Sequence, residues 1–324
     1  MIVKNEEANL GPCLESVADL VNEIIIVDTG STDRTKEIAL RFGAKIHDFP
    51  WIDSFSAARN ESLRHATREW IFWMDADDRL DAENRAKLRD LFANLPAENV
   101  GFVMKCLCLP DADTGTSTVV DHVRLFRNNP QVRWTYRIHE QILPSIRKLG
   151  GDVRWSDVTI RHVGYQDRKV RAGKLERDLR LLSMEHQDQL DEPFTNFNLA
   201  SVYHEQGRSA EALELFRKSL QRSAPTDSIV RKLYAQIIQC QRHLKQFNDA
   251  LKTCGDARQH YPHDLEILFQ EALTRRDLQD RAGAIACLEQ VLENRDGQHF
   301  ASVDMNRPYQ CSMPSNFCSF MQPR

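Results

Sequence analysis

No stretch of this chain holds the ~20 consecutive apolar residues that a membrane-crossing helix needs, so no integral membrane helix is expected. The opening residues MIVKNEEANL lack the apolar segment of a secretory signal. Charge of one sign is also scarce. The 43 basic residues against 47 acidic ones leave a net −4, and no broad field favours nucleic acid or an anionic membrane. The eight cysteines (Cys13, Cys106, Cys108, Cys240, Cys254, Cys287, Cys311, Cys318) are scattered, and none forms a CxxC pair with histidine at zinc spacing. A disulfide framework is therefore not expected, and free thiols in a reducing compartment are the simpler account. A cytoplasmic protein, peripheral at the inner membrane at most, is the expectation.

What is present is an ordinary globular composition, 41% hydrophobic and 28% charged, in 324 residues. That length exceeds one ordinary core and predicts two domains. Over the first hundred residues, strand and helix signals alternate, which predicts a βαβ, mostly parallel sheet. Ile2-Val3 is a strand stub. Leu10, Cys13, Leu14 and Val17 fall at helical spacing. Ile24 to Val27 is a β-branched run suited to a strand covered on both faces, and it breaks at Asp28-Thr29-Gly30-Ser31-Thr32-Asp33. A helix carrying Thr35, Ile38, Ala39 and Phe42 follows and is stopped by Gly43. Trp70 to Met74 predicts a central strand, Val100 to Leu109 and 119–127 further strands, and Asp157 to Val163 a last one.

Beyond residue 168 the pattern is helical. Leu199, Ala200, Tyr203, Gly207, Ala212 and Phe216, with Pro225 beyond, sit at tetratricopeptide spacings. Ala212, Ala250 and Ala284 head equivalent second helices, 38 and 34 residues apart, and Pro262 closes the second unit as Pro225 closes the first. Unrelated paired helices are the plainer alternative. The predicted organisation is an α/β domain over 1–168, an all-α repeat array over 169–296 and a disordered or frame-shifted tail over 297–324.

Three carboxylates, Asp75, Asp77 and Asp78, follow a predicted strand, where ligands bind in open α/β sheets. Alternate residues of an extended segment face the same way, so Asp75 and Asp77 can meet one ligand. Clustered carboxylates repel unless a cation lies between them. A hard ion such as Mg²⁺ or Mn²⁺ takes oxygen ligands and keeps positions open for phosphate. Alone, the DxD pattern leaves an acidic solvated turn equally open. Asp28 also ends a predicted strand and is placed to meet a base or ribose, although a well-capped strand–helix turn explains that segment by itself.

The four segments MIVKNEE, EIIIVDTGSTDRT, FSAARNESL and WIFWMDADD, in this order, resemble the inverting glycosyltransferase family 2 over about residues 1–165. The resemblance implies a GT-A fold, a Rossmann-like nucleotide half joined to an acceptor half, and here a tetratricopeptide array after it. It implies transfer from a nucleotide-sugar donor of UDP type to a glycan, lipid or peptide acceptor, assisted by Mn²⁺ or Mg²⁺. With the C-terminal repeats, the arrangement is similar to a bacterial subgroup that includes peptide S-glycosylating relatives. Asn5 and Glu6 would lie beside the nucleotide, Asp28 would contact the base or ribose, and Arg59 and Asn60 would support the nucleotide pocket. Asp75 and Asp77 would hold the metal and donor diphosphate.

Two features depart from the pattern: Met1 begins almost inside the first strand, and the Glu-Asp pair that often supplies the base is not recognisable after residue 100. The segment Tyr136-Arg137-Ile138-His139-Glu140 resembles the subgroup's Ile-His-Glu motif. Glu140 is the first choice as base, with His139 as a metal or phosphate ligand and Asp121 in reserve. Purely structural hydrogen bonds at His139 and Glu140 have equal standing. Arg124 and Arg127 are candidate diphosphate ligands or solvated strand residues. His162 reads as structural, and Trp134 as a sugar contact, with Trp70 and Trp73 in the core. A scaffold of another class, in which the repeats recruit a protein partner and the transferase is degenerate, is the alternative. A sugar-nucleotide pyrophosphorylase is excluded by the absence of a Gly-rich N-terminal signature.

Overall fold

The computed structural model describes residues 1–108, 118–164, 168–224, 227 and 229–293. The expected tail, with Cys311 and Cys318, and the positions Leu109 and Pro225 lie outside the described residues. The described chain separates into two compact units, Met1–Arg171 and the part from Ala172 onward.

In the first unit β1 (Ile2–Val3), β2 (Ile25–Asp28) and β3 (Lys45–Asp48) form a parallel sheet in that order. Crossovers need helices, and α1 (Leu10–Glu15) and α2 (Thr35–Arg41) supply them. Leu10, Leu14, Ile26 and Ala39 make the core between these layers. Val3 pairs with Asp28, so the loops that leave β1 and β2 emerge side by side. Gly43, at φ 70°, terminates α2 as expected. The Met1 ammonium is buried, donates to the Ile25 carbonyl at 2.9 Å, and is pushed down to about 5 by that burial. Beside it lies a cavity of about 540 Å³ walled by Met1, Val21, Leu63, Trp70 and Phe72, which none of Asp75, Asp77 and Asp78 lines.

The helix α3 (Phe55–His65) starts where Ser54 accepts a hydrogen bond from the Ala57 amide at 3.2 Å. The remaining strands are β4 (Trp70–Phe72), β5 (Asp78–Arg79), β6 (Val100–Cys108), β7 (Thr118–Arg127) and β8 (Asp152–His162). They form a second sheet in the order β4-β7-β6-β8-β5, antiparallel except for β6 with β8. Helices α4 (Ala82–Ala93) and α5 (Leu143–Lys148) belong to this unit as well. The parallel βαβ sheet is present as β1, β2 and β3, but the expectation that Trp70–Met74 is its central strand is corrected. The strand is short, ends its sheet and pairs antiparallel with β7. Its unbroken apolar character has another cause. Trp70 and Phe72 pack into one cluster with Leu88 and Val158, whereas Ile71 and Trp73 pack into another with Phe126 and Ile142. Both faces are covered, which demands apolar residues at every position whatever the strand direction.

The second unit is all helix: α6 (Arg168–Asp188), α7 (Pro193–Glu205), α8 (Ser209–Arg222), α9 (Val230–His243), α10 (Phe247–His260), α11 (Leu265–Asp277) and α12 (Arg281–Glu293). Ala212, Ala250 and Ala284 are each the fourth residue of the second helix of a pair, and all three are buried. The turn inside each pair uses one left-handed residue: Gly207 at φ 78°, Lys245 at 59° and Gln279 at 64°. Their amides bond the carbonyls of His204, Arg242 and Arg276, each at 2.9 Å. The later repeats look degenerate in sequence because lysine and glutamine accept a conformation that costs them roughly 1 kcal/mol and glycine almost nothing.

Candidate active site

The site gathers where β1, β2, β4 and β8 end. Asp28 closes β2 fully buried, and its Oδ1 accepts from the amides of Gly30 (2.9 Å) and Ser31 (2.8 Å). Gly30 makes this turn at φ 108°. The other oxygen, Oδ2, is buried with no hydrogen-bond partner among the described residues. Buried carboxylate oxygens are seldom left so, and a ligand N–H or O–H would satisfy it. Asn5, itself left-handed at φ 55°, zips the first loop to the second. Its Oδ1 accepts from the Thr32 amide at 2.7 Å, and the Glu6 amide donates to Thr35 Oγ1 at 2.7 Å. Asn5, Glu6 and Asp28 thus come together as expected.

The acidic run separates into three different carboxylates. Asp78 is fully buried: one oxygen takes Arg124 Nη1 and the Asp75 amide, both at 2.8 Å, and the other faces His162 Nδ1 at 3.0 Å. It is the internal anchor. Asp75 accepts from Arg59 Nη2 at 2.9 Å and lies 3.9 Å from Arg124. Burial works against its charged form, but the two guanidiniums outweigh it and hold the carboxyl below its usual range. Asp77 has no guanidinium or ammonium partner among the described residues; it lies 3.3 Å from His162 Nε2, and burial pushes it up to about 6. Burial also disfavours the His162 cation, yet the Asp78 hydrogen bond and the Asp77 charge prevail, so His162 titrates above its ordinary range.

Asp75, Asp77, Asp78 and His162 each offer an atom within 4.8 Å of the others, close enough to hold one cation. Asp78, Cys106 and His162 meet the same distance test, but the guanidinium of Arg124 already lies there, 3.6 Å from the Cys106 sulfur. Oxygen-rich ligation with one imidazole suits Mg²⁺ or Mn²⁺ at the first group.

Several expected roles are corrected. His162, read as structural, joins the acidic group because β5 pairs with β8 and sets Asp78 opposite His162. The visible signal is slight: a histidine closing the last strand, with a glycine two residues on. A Cβ at Gly164 would fall 2.0 Å from Asp77 Oδ2. His139, expected as a metal or phosphate ligand, is exposed at φ 54° and belongs to neither potential cation group among the described residues. Arg124 is no diphosphate ligand: it is 2% exposed, stacked 3.8 Å over Trp73 and committed to Asp78. Arg127 pairs with Glu69 beside Trp70. Trp134, expected at the sugar, is buried edge-on against Trp73, centroids 5.1 Å apart. Asn60 spends both ends of its amide on the Trp134 backbone, at 2.9 Å each. Glu140 gives one oxygen to Arg59 Nε at 2.5 Å. Asp121 lies mid-strand opposite Lys105, 3.9 Å from its ammonium.

The first unit is thus an α/β domain in which a buried acid with one unpartnered oxygen ends a parallel βαβ sheet, and a carboxylate and histidine group gathers after β4 and at the end of β8. Residues 1–149 match the model of glycosyl transferase family 2, and residues 195–225 that of a tetratricopeptide repeat. The N-terminal domain is thus a family 2 glycosyltransferase domain, and a tetratricopeptide region follows it. The chain is 31% identical over 258 residues to a TPR repeat-containing protein of Synechococcus elongatus, covering 78% of this chain and 63% of that one. It is 26% identical over 300 residues to the SPbeta prophage-derived glycosyltransferase SunS of Bacillus subtilis, covering 88% and 68%. An uncharacterized glycosyltransferase of Rickettsia typhi is 33% identical over 94 residues, 29% of this chain and 32% of that one. The chain therefore spans less than two thirds of the first relative's length. No helix among the described residues is long and apolar enough to cross a membrane.

Proposed function

We propose that this chain transfers a sugar from a UDP-type nucleotide donor to a hydroxyl or thiol acceptor, with inversion and with a divalent cation at Asp75, Asp77 and His162. The observation that carries the reading is Asp77. Its neighbours are each offset by a guanidinium, whereas Asp77 is largely buried and, among the described residues, has His162 alone as a charged partner. A buried carboxylate without a full counter-charge is costly, and a cation shared with His162 and Asp75 removes that cost. The inversion and the UDP-type donor rest on the family resemblance.

When bound, the cation offsets the charge that gathers on the departing diphosphate. The chain's own residues do the rest. Asp28 Oδ2 accepts a hydrogen bond from the nucleoside, and the loops of Asn5 and Gly30 shape its seat. Asp78 and Arg124 keep Asp75 and His162 in place from beneath. Glu140, through the oxygen not engaged by Arg59, takes the acceptor's proton as the acceptor bonds to the anomeric carbon and the sugar–phosphate bond breaks. The nucleoside diphosphate leaves with that bond's electron pair.

The test is nucleoside diphosphate release from a panel of nucleotide sugars with Mn²⁺, alongside calorimetry of UDP binding. Asp77→Asn is expected to abolish the Mn²⁺-dependent part of UDP binding. Unchanged affinity in that variant refutes the cation assignment. Silence of the wild-type chain across the panel, with no UDP binding, leaves the scaffold reading instead.

A further inference from the structure

Arg59 joins the segment that bears Glu140 to the acidic run. Its guanidinium is buried, with its central carbon 4.3 Å from the ring centroid of Trp73 and 5.2 Å from that of Trp134. Held between these rings, it directs Nη2 to Asp75 Oδ1 at 2.9 Å and Nε to Glu140 Oε1 at 2.5 Å. Only a planar, multi-donor group can serve two carboxylates in this way.

The segment bearing Glu140 needs such a support. It is a loop from Trp134 to Gln141, closed by a bridge in which Thr135 and Gln141 exchange amide–carbonyl bonds of 3.0 and 3.1 Å. Inside it Tyr136 (φ 69°) and His139 (φ 54°) hold left-handed backbone, which costs side-chain-bearing residues roughly 1 kcal/mol each and is offset by contacts from outside the loop. Contacts of that kind come from α3. The Phe55 amide donates to the Arg137 carbonyl at 2.7 Å, Asn60 brackets the Trp134 backbone, and Arg59 takes Glu140 itself. Of these, only Arg59 also reaches the acidic run.

We propose that Arg59 is a positioning residue of the transfer step: through its two-ended ion pair it sets the Glu140 carboxylate at a fixed place relative to Asp75, so that the proton acceptor and the donor's cation site form one unit. This rests on the transferase reading given above. It differs from general support of a nucleotide pocket in what it requires. Donor binding would depend weakly on Arg59, and turnover strongly.

Arg59→Lys keeps the charge and loses the fork. With the donor found active in the panel, this variant is expected to lower kcat roughly 100-fold, the usual consequence of misplacing a reacting group by about 1 Å. The donor KM should move by less than about threefold. Glu140→Gln should lower kcat to a similar degree, and the double variant should be no slower than the slower single one, since residues acting as a unit are not additive. Amide hydrogen exchange across residues 134–141 should quicken in Arg59→Lys and stay unchanged in Glu61→Gln, a control on the same helix. Multiplying effects in the double variant, a change confined to donor KM, or unaltered exchange in the loop would each overturn the proposal. An inactive wild-type chain would instead remove the transferase reading itself, and the exchange data would still report whether Arg59 holds the loop.

Discussion

Gly164→Ala isolates the candidate cation site from the fold. The backbone of Gly164 is not in the left-handed region, so alanine fits its conformation. The space does not fit: the new Cβ would lie 2.0 Å from Asp77 Oδ2 and 3.0 Å from His162 Nε2. Carbon and oxygen settle no closer than roughly 3.3 Å, so the carboxylate must retreat by more than ~1 Å. Asp77 is the free end of a flexible side chain, and a displaced rotamer costs no more than about 1.5 kcal/mol. Cation ligation is less forgiving, because ligand distances are tolerated only within ~0.2 Å. The expected outcome is a melting temperature within a few degrees of wild type and a 10- to 100-fold loss of Mn²⁺-dependent UDP affinity by calorimetry. Gly151→Ala is the control. There the Cβ would strike the Asn99 carbonyl at 2.6 Å and its Nδ2 at 2.8 Å. Backbone cannot retreat as a side chain can, so stability should fall by about 1–3 kcal/mol with UDP affinity in the folded fraction unchanged. If Gly164→Ala binds Mn²⁺ and UDP as wild type does, Asp77 is not a ligand and the reasoning fails.

Removing the internal cation should act on the fold instead: Arg124→Met leaves the buried Asp78 with His162 and the Asp75 amide but no guanidinium, and a loss of about 3–5 kcal/mol is expected in urea unfolding. Glu23, whose side chain is 7% exposed, accepts from Lys45 Nζ at 2.7 Å and from the Thr67 amide at 2.9 Å, and these bonds outweigh burial to bring it down to about 2. A carboxyl with a depressed folded pKa stabilises above its unfolded value near 4.5, and that stability is lost as pH falls towards 2. Glu23→Gln should therefore cost about 1–2 kcal/mol at pH 7, discounted for the exposed Lys45, and should flatten acid unfolding between pH 4.5 and 2. In the repeats, Gly207→Ala should cost about 1 kcal/mol and Lys245→Gly should be neutral or stabilising by less than about 1 kcal/mol. Equal losses from both would show that the left-handed turns are not what separates the two repeats.

Local patterns carried far in this chain. A β-branched run broken by Asp28 and Gly30, a helix stopped by Gly43 and alanines 38 and 34 residues apart all describe what a few neighbouring residues do, and all appear where expected. Asp75 and Asp77 follow the apolar strand β4 as the local pattern indicates, and the loop of Asn5 and Glu6 emerges beside that of Asp28 because β1 and β2 adjoin in parallel. Partners across the sheet were a different matter. Nothing local tells Arg124 from Arg127, yet one is buried beneath the site and the other is paired with Glu69 at its sheet's edge. The division of one acidic run into an anchor, a guanidinium-held acid and an under-compensated acid depends on β5 meeting β8, 84 residues on. His162 and Gly164 come against Asp77 in the same step, whereas His139 stays outside the acidic group. Hydrophobic period and turn chemistry act over a few residues and so can be read from the chain alone. Which charges share a buried volume is decided by strand pairing, and only the tertiary structure settles that.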